Sequence, residues 1–536
     1  VFIFYAKNDG KEQLVMNTNK TRSAFTGQIK SERCKMQKDE LNANQQPSSH
    51  IISPLDETNA SYRSETDALG DASLPSNALY GIHTHRARGN FNLDERTVSP
   101  SLIYAVLQVK KACAEANIDT GDLSPDLGEA IIAAADAALA VLDKTIAKLP
   151  LSTDEQATFD ALQTPALQGG AGTSVNMNVN EVIANLALVK LGKKAGDYDS
   201  LHPINHVNMS QSTNDVYPTA LKIALIRKVR KLSDTLAQLQ SALQRLETQH
   251  ANVIKLGRTQ LMDAVPITFG QVFGAYARAI SRDRWRIYKA EERLREVNLG
   301  GTAVGTGLNA SLDFIYLVTE RLQHITGLGI ARADLLVDAT QNADVYVEVS
   351  GLLKALATNL MKIANDLRLM NAGPRGGFAE ITLAAHQAGS SIMPGKVNPV
   401  LCEMVNQVCF RVFGADVAIT AAAAGGQFEL NPFLPLIGDE LFTAFDLLEA
   451  SVEKFTSGVI ETLTVNRAHC QETVAKSTSL AAAFIDVLGY DEASTIAKRA
   501  HASGADIRTV LRNETLLSDE AIDERLTVQN LTHPKR

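Results

Sequence analysis

The sequence predicts a mainly α-helical protein built around an elongated bundle of long helices, on three observations. Aromatic residues are only 5% of the 536, with one tryptophan, Trp285, while Ala and Leu abound. That balance favours helices over a β-rich fold. Apolar residues recur along several stretches at alternating spacings of four and three, the mark of long helices packed nearly parallel. Between those stretches Gly, Pro, Ser, Thr and Asn gather into short clusters that interrupt the helices at a few defined places.

Taken in order, residues 1 to about 60 are polar and lack a sustained period, so disorder or a foreign extension is expected there. The first seam runs Leu225, Val229, Leu232, Leu236, Leu239, Leu243 and Leu246. The second carries Phe273, Ile280, Ile287 and Leu294 at intervals of seven. A third runs Leu353, Leu356, Leu360, Ile363, Leu367 and Met370. The Ala- and Val-rich stretch after Pro399 and the stretch from Asp439 to Thr464 supply two more. Such stripes are bundle core, and chemistry is to be sought between them.

Bulk properties narrow the class. The length exceeds one ordinary core, so two to four domains are expected. A net charge of −8 and a pI near 5.8 exclude a nucleic-acid binder that relies on a basic surface. Five scattered cysteines (Cys34, Cys113, Cys402, Cys409, Cys470) without CxxC spacing read as free thiols of a reducing compartment. No uninterrupted run of about 18 apolar residues suggests a membrane span. The opening Val1–Ala6 is too short for a signal peptide. The expected setting is cytoplasmic, with no membrane and no nucleic acid as partner.

Four polar clusters separate the seams. They are Gly169-Gly-Ala-Gly-Thr-Ser174, Ser210-Gln-Ser-Thr-Asn-Asp215, Gly257-Arg-Thr-Gln260 and Gly389-Ser-Ser-Ile-Met-Pro-Gly-Lys-Val-Asn-Pro399. Loops on a stiff scaffold suit a binding or catalytic site. Singly they read as turns and helix caps. None is a phosphate-loop or dinucleotide signature. His202 and His206 have a metal-like spacing, but Pro203 between them argues against a shared helix face. His83 and His85 read equally as surface residues.

Together the clusters resemble the aspartase/fumarase superfamily, and its aspartase branch in particular. Gln387 to Pro399 is similar to the superfamily's signature loop, and its sequel Val400-Leu-Cys-Glu-Met-Val-Asn-Gln-Val408 is closer to aspartases than to fumarases. Gly169 to Asn178, Gln211 to Asp215, Tyr80 to Thr84 and Val528 to Pro534 add to it, in order, over about residues 61 to 536. The resemblance implies three domains: a mixed helical N-terminal one (61–212), a bundle of five long helices (213–465) and a small helical one (466–536). It also implies a homotetramer whose active sites each draw on three chains.

The chemistry so implied is elimination of ammonia from L-aspartate to give fumarate, a small C4 dicarboxylate, with no cofactor and no metal. Removing the proton beside the β-carboxylate leaves an aci-carboxylate with two negative charges, which needs preset donors and positive charge. The resemblance makes Ser390 the general base, with loop amides near Gly389 and Gly395 and the charge of Lys396 easing its ionisation. It makes Lys396 and Asn398 β-carboxylate ligands. Thr173, Ser212, Thr213, Asn214 and Thr259 become hydrogen-bond donors to the substrate, and Ser391 and Glu403 supporting residues. Arg86 is carried over for the α-carboxylate, with a surface salt bridge as the alternative. Gln260 stands where fumarase-like motifs have a histidine; it can bridge Glu403 and a substrate carboxylate but cannot carry a proton.

Some positions depart from the family pattern. Met209 stands where Lys is common, Met262 where Gln is common, and Ala415 where Asn is common, and Ala384-Ala385-His386 replaces a Leu-Pro-Glu-like approach to the loop. Two other functions share these motifs: fumarate hydratase, with the same base and lysine, and a catalytically inactive structural relative.

Overall fold

The three apolar seams each fall on one continuous helix of the structure, a computed structural model that describes residues 61–534. The expected extension at residues 1–60 lies outside the described residues. The described chain opens with an antiparallel hairpin, β1 (Tyr62–Asp67) and β2 (Gly70–Pro75). Helices α1 (Ile82–Asn90), α2 (Pro100–Asp119), α3 (Pro125–Ile146), α4 (Thr153–Ala161) and α5 (Thr173–Lys190) follow.

Helix α6 (Thr213–Gln249) has 37 residues. At 1.5 Å per residue it spans about 55 Å. Its start is a capping box: Ser212 Oγ accepts from the backbone, and the Asp215 carboxylate returns a bond to the Ser212 N–H. Its first seam residues are buried throughout. Pro218 in the second turn has no N–H to give the carbonyl of Asn214. Asn298 Nδ2 takes that place, donating to the Asn214 carbonyl at 2.9 Å.

A hairpin of β3 (Ile254–Thr259) and β4 (Met262–Thr268) links α6 to α7 (Phe269–Leu294), which begins with a second capping box from Thr268 and Gln271. Helices α8 (Leu312–Thr326), α9 (Leu336–Gln341), α10 (Asp344–Met370), α11 (Val400–Ala424) and α12 (Leu434–Phe455) complete the middle of the chain. Two short strand pairs brace the connections, β5 (Glu296–Val297) with β6 (Ala331–Arg332) and β7 (Ile381–Thr382) with β8 (Thr464–Val465).

The five long helices close a ring of contacts. α6 packs on α7 and α12, α10 packs on α7 and α11, and α11 packs on α12. One hydrophobic core runs continuously from Val98 to Cys470, across the domain boundary expected near residue 213. A second, smaller core gathers Val474, Phe484, Ile496, Val510 and Leu511 with Ile254 and Leu256 of β3. The C-terminal helices are thus seated on the β3–β4 hairpin.

Helix α11 holds an 18-residue window of mean hydropathy 1.3, of which only 33% is buried within the chain. Length and composition alone would let it cross a bilayer. It is instead a bundle helix, flanked by α10 and α12, and its buried Asp416 accepts from Ser350 at 2.8 Å and Lys354 at 2.6 Å. Phe410 and Val417 project outward from it, exposed.

Candidate active site

The first polar cluster forms where α5 and α6 begin together. Thr173 is the first residue of α5 and exposed, and its Oγ1 donates to the Gly170 carbonyl at 2.7 Å. Gly172 before it has φ +94°, and a Cβ there would lie 2.2 Å from the Tyr217 ring, so only glycine fits. One turn on, Asn176 Nδ2 donates to Thr213 Oγ1 at 3.1 Å, tying α5 to the start of α6. Ser212 and Asn214 are half-buried there, and Asn214 Nδ2 donates to the Ala303 carbonyl at 2.7 Å. Thr173, Ser212, Thr213 and Asn214 therefore share one end of the bundle.

Beneath them lies a buried polar support that sequence reasoning missed. Asp215 accepts from the N–H groups of Ser212 (3.0 Å), Gly300 (3.1 Å) and Thr302 (2.9 Å), and burial pushes its carboxyl up to about 6. Lys110 donates to Asn208 Oδ1 at 2.9 Å and Gln211 Oε1 at 2.8 Å, and its burial lowers the ammonium to about 7. Asn208 Oδ1 also receives Asn176 and Asn180. Pro218 inside a helix was the one signal in the sequence that a carbonyl here needs an outside donor. Its donor, Asn298, could not be found without the fold. Met209 packs half-buried against the core where the family pattern has Lys.

The hairpin lies beyond the far end of α6. Gln260 (φ +55°) and Leu261 (φ +64°) make its two-residue turn, with Thr259 paired to Met262 and all four exposed. Positive φ at both turn residues matches the twist of a tight hairpin, but for two residues with side chains it costs strain. Glu403 lies 3.6 Å from Arg368, and among the described residues no hydrogen bond joins it to Gln260.

The signature loop leaves the end of α10, where Ala379, Glu380 and Leu383 are bonded to α10 and to the Asn371–Ala372 segment after it, and re-enters helix at α11. Ser390 Oγ accepts from the amides of Ile392 at 3.2 Å and Met393 at 2.9 Å. The amides expected near Gly389 and Gly395 are not its donors: the Gly389 N–H is spent on the Lys396 carbonyl at 2.9 Å. The loop turns back so tightly after Ser390 that the amides two and three residues on point at the hydroxyl. Ser391 and Lys396 are exposed, and Lys396 has no ion-pair partner among the described residues. Lys396, Asn398, Glu403, Arg368 and Asn371 line a cavity of about 890 Å³.

Arg86 resolves to the alternative left open by the sequence. Its guanidinium grips Asp67 at 2.8 and 3.0 Å and the Gly70 carbonyl at 2.9 Å, on the first hairpin. That fork is spent on a structural pair, so Arg86 is not poised for a substrate carboxylate. His83 and Thr84 give their amides to the buried Glu181 at the start of α1. His202 Nδ1 accepts from the amides of Ile204 and Asn205, and His206 Nδ1 accepts from the His202 N–H, so these rings hold a turn of backbone. Ala415 is buried in the bundle core, and Met262 is exposed on the hairpin.

A helical bundle with polar loops at both ends and a Gly/Pro loop offering a hydrogen-bonded serine and a free lysine is the frame of a lyase. Residues 70–414 match the family model described as lyase, and residues 480–533 the model described as fumarase C C-terminus. The chain belongs to this lyase family. It is 43% identical over 476 residues to the aspartate ammonia-lyase of a Bacillus species, covering 89% of this chain and 98% of that one. It is 40% identical to the aspartate ammonia-lyase of Escherichia coli over 88% of this chain and 96% of the relative. A solved fumarate lyase:delta crystallin from Brucella melitensis bound to cobalt superposes with a TM-score of 0.83 at 41% identity, covering 88% of this chain and 100% of the other. A class II fumarase from Schistosoma mansoni gives 0.80 at 31% identity, over 88% of this chain and 98% of its own.

Proposed function

We propose that the protein eliminates ammonia from L-aspartate to give fumarate, as a carbon–nitrogen lyase, with Ser390 as the general base. The pair of loop amides aimed at Ser390 Oγ carries this reading. A serine hydroxyl is a poor base because its alkoxide is costly; two backbone donors and the nearby Lys396 charge reduce that cost. Ser390 takes the Cβ proton, and the C–H electrons pass into the β-carboxylate as an aci-carboxylate. Lys396 and Asn398 stabilise the added charge. Collapse forms the Cα–Cβ double bond and expels neutral ammonia from Cα, while the proton stays on Ser390. Thr173, Ser212, Thr213, Asn214 and Thr259 hold the carboxylates and ammonium.

One chain cannot supply all of these groups to one substrate. Thr213 opens α6 and the Thr259 hairpin follows its end, a helix of 37 residues apart, or about 55 Å. The site is therefore completed by other copies laid alongside in the opposite sense, in a homotetramer. The exposed apolar flank of α11, with Phe410 and Val417, supports that assembly. Four buried free thiols, Cys113, Cys402, Cys409 and Cys470, support a cytoplasmic setting.

The test is fumarate absorbance with L-aspartate, L-malate and other C4 dicarboxylates. We expect kcat/KM for L-aspartate to exceed that for L-malate by at least roughly 10³. Faster turnover of malate would make the protein a hydratase, and none with any dicarboxylate a structural relative.

A further inference from the structure

Strand β3 and the arm of the Ser390 loop meet at three charges, Glu380 and Lys255 buried and Arg258 half-buried, that the elimination chemistry does not use. Glu380 is 2% exposed and directly precedes β7. Its Oε1 accepts from Arg258 Nη1 at 2.6 Å, and its Oε2 lies 3.2 Å from Lys255 Nζ. The Arg258 guanidinium also stacks on Phe378, 4.1 Å from the ring centroid. Arg258 immediately precedes Thr259. The Glu380 backbone is held too: its N–H donates to the Met370 carbonyl at 2.8 Å, and its carbonyl accepts from Asn466 at 2.9 Å.

Buried ion pairs seldom stabilise a fold more than well-packed apolar residues would. Their use here is geometric. A two-stranded ribbon is marginal by itself, and this one carries a register shift at Gly257, where a Cβ would lie 2.4 Å from the Val265 carbonyl oxygen. Without an anchor the Thr259 end would swing about that point. The single charge-assisted bond from Nη1 fixes the distance to the carboxylate, and stacking on Phe378 fixes the direction of the guanidinium plane.

We propose that Glu380 is a positioning residue that anchors the Thr259 hairpin and the arm of the Ser390 loop to the same point at the end of α10. It rests on the reading of Thr259 and Ser390 as substrate-facing groups. Displacing either by about 1 Å costs on the order of 10² in rate.

The experiment compares Glu380→Gln and Arg258→Lys in the full chain by hydrogen exchange and by kinetics on L-aspartate. Arg258→Lys keeps the charge and loses the planar guanidinium that stacks on Phe378. Amides of residues 258–262 and 381–389 are expected to exchange at least about tenfold faster in either variant, with bundle amides unchanged. kcat/KM is expected to fall about 10²-fold. Unchanged exchange at the hairpin overturns the proposal, and so does a lowered Tm with kcat and KM both retained. Should Glu380→Gln fail to fold, Arg258→Lys decides alone. An unmodified chain inactive on L-aspartate would overturn the proposed function instead, and the exchange data would still decide the anchor.

Discussion

Asn398 donates from Nδ2 to the carbonyl of Gly389 at 3.0 Å, and the Gly389 N–H donates to the carbonyl of Lys396 at 2.9 Å. These bonds close residues 389–398 into a ring that holds Ser390 and Lys396 in a set relation. A Cβ at Gly389 would lie 2.7 Å from the Lys396 oxygen, so the ring needs glycine at its neck.

Asn398→Asp keeps the side-chain shape and loses the donor. One of the two bonds that close the ring is lost, and kcat/KM for L-aspartate is expected to fall by about 10² or more. Steady-state kinetics beside circular dichroism check this. Activity within threefold of the parent would show that the ring is not needed.

Ser390→Ala is expected to lower kcat by on the order of 10² to 10⁴ while the fold and the proposed assembly persist. The serine lies outside both hydrophobic cores, so stability hardly depends on it. Sedimentation and thermal melting test the second half. Activity within tenfold of the parent would assign the base elsewhere.

Lys110 gives a pH signature in stability. Burial lowers its ammonium from the ordinary 10.5 to about 7. Between those values the unfolded chain binds the proton that the folded chain has released, so stability rises with pH across that window. Lys110→Met lacks this contribution, on the order of a few kcal/mol. The stability of the parent relative to Lys110→Met should therefore increase from pH 7 to pH 9.5 in urea unfolding. A difference independent of pH would contradict the buried, deprotonating lysine.

Gly172→Ala should be among the most damaging single-methyl additions. It forces a side chain into φ +94° and drives a carbon to 2.2 Å from the Tyr217 ring. Strain and overpacking together are expected to cost about 3 kcal/mol or more, with KM for L-aspartate rising because Thr173 shifts. Denaturant unfolding and steady-state kinetics read both effects; loss of less than about 1 kcal/mol would mean that the turn relaxes freely.

The sequence alone determined the long helices and the loops between them. Leu225 to Leu246 repeat every three or four residues, and a face that regular can be buried only along a helix packed lengthwise on others. The Ser, Thr and Asn run ahead of the first seam read as a helix cap, and the glycines and prolines around Ser390 forbade helix there. Tertiary structure decided what those local rules cannot reach. It assigned Arg86 to Asp67, gave Ser390 the amides of Ile392 and Met393, and sent Asn298 to the carbonyl that Pro218 leaves unpaired. It also set the Thr213 cluster and the Thr259 hairpin at opposite ends of α6. Periodicity reports which face of an element is buried, because burial repeats with the helix. A hydrogen-bond partner 84 residues away obeys no period, and only the folded chain brings it within 2.9 Å.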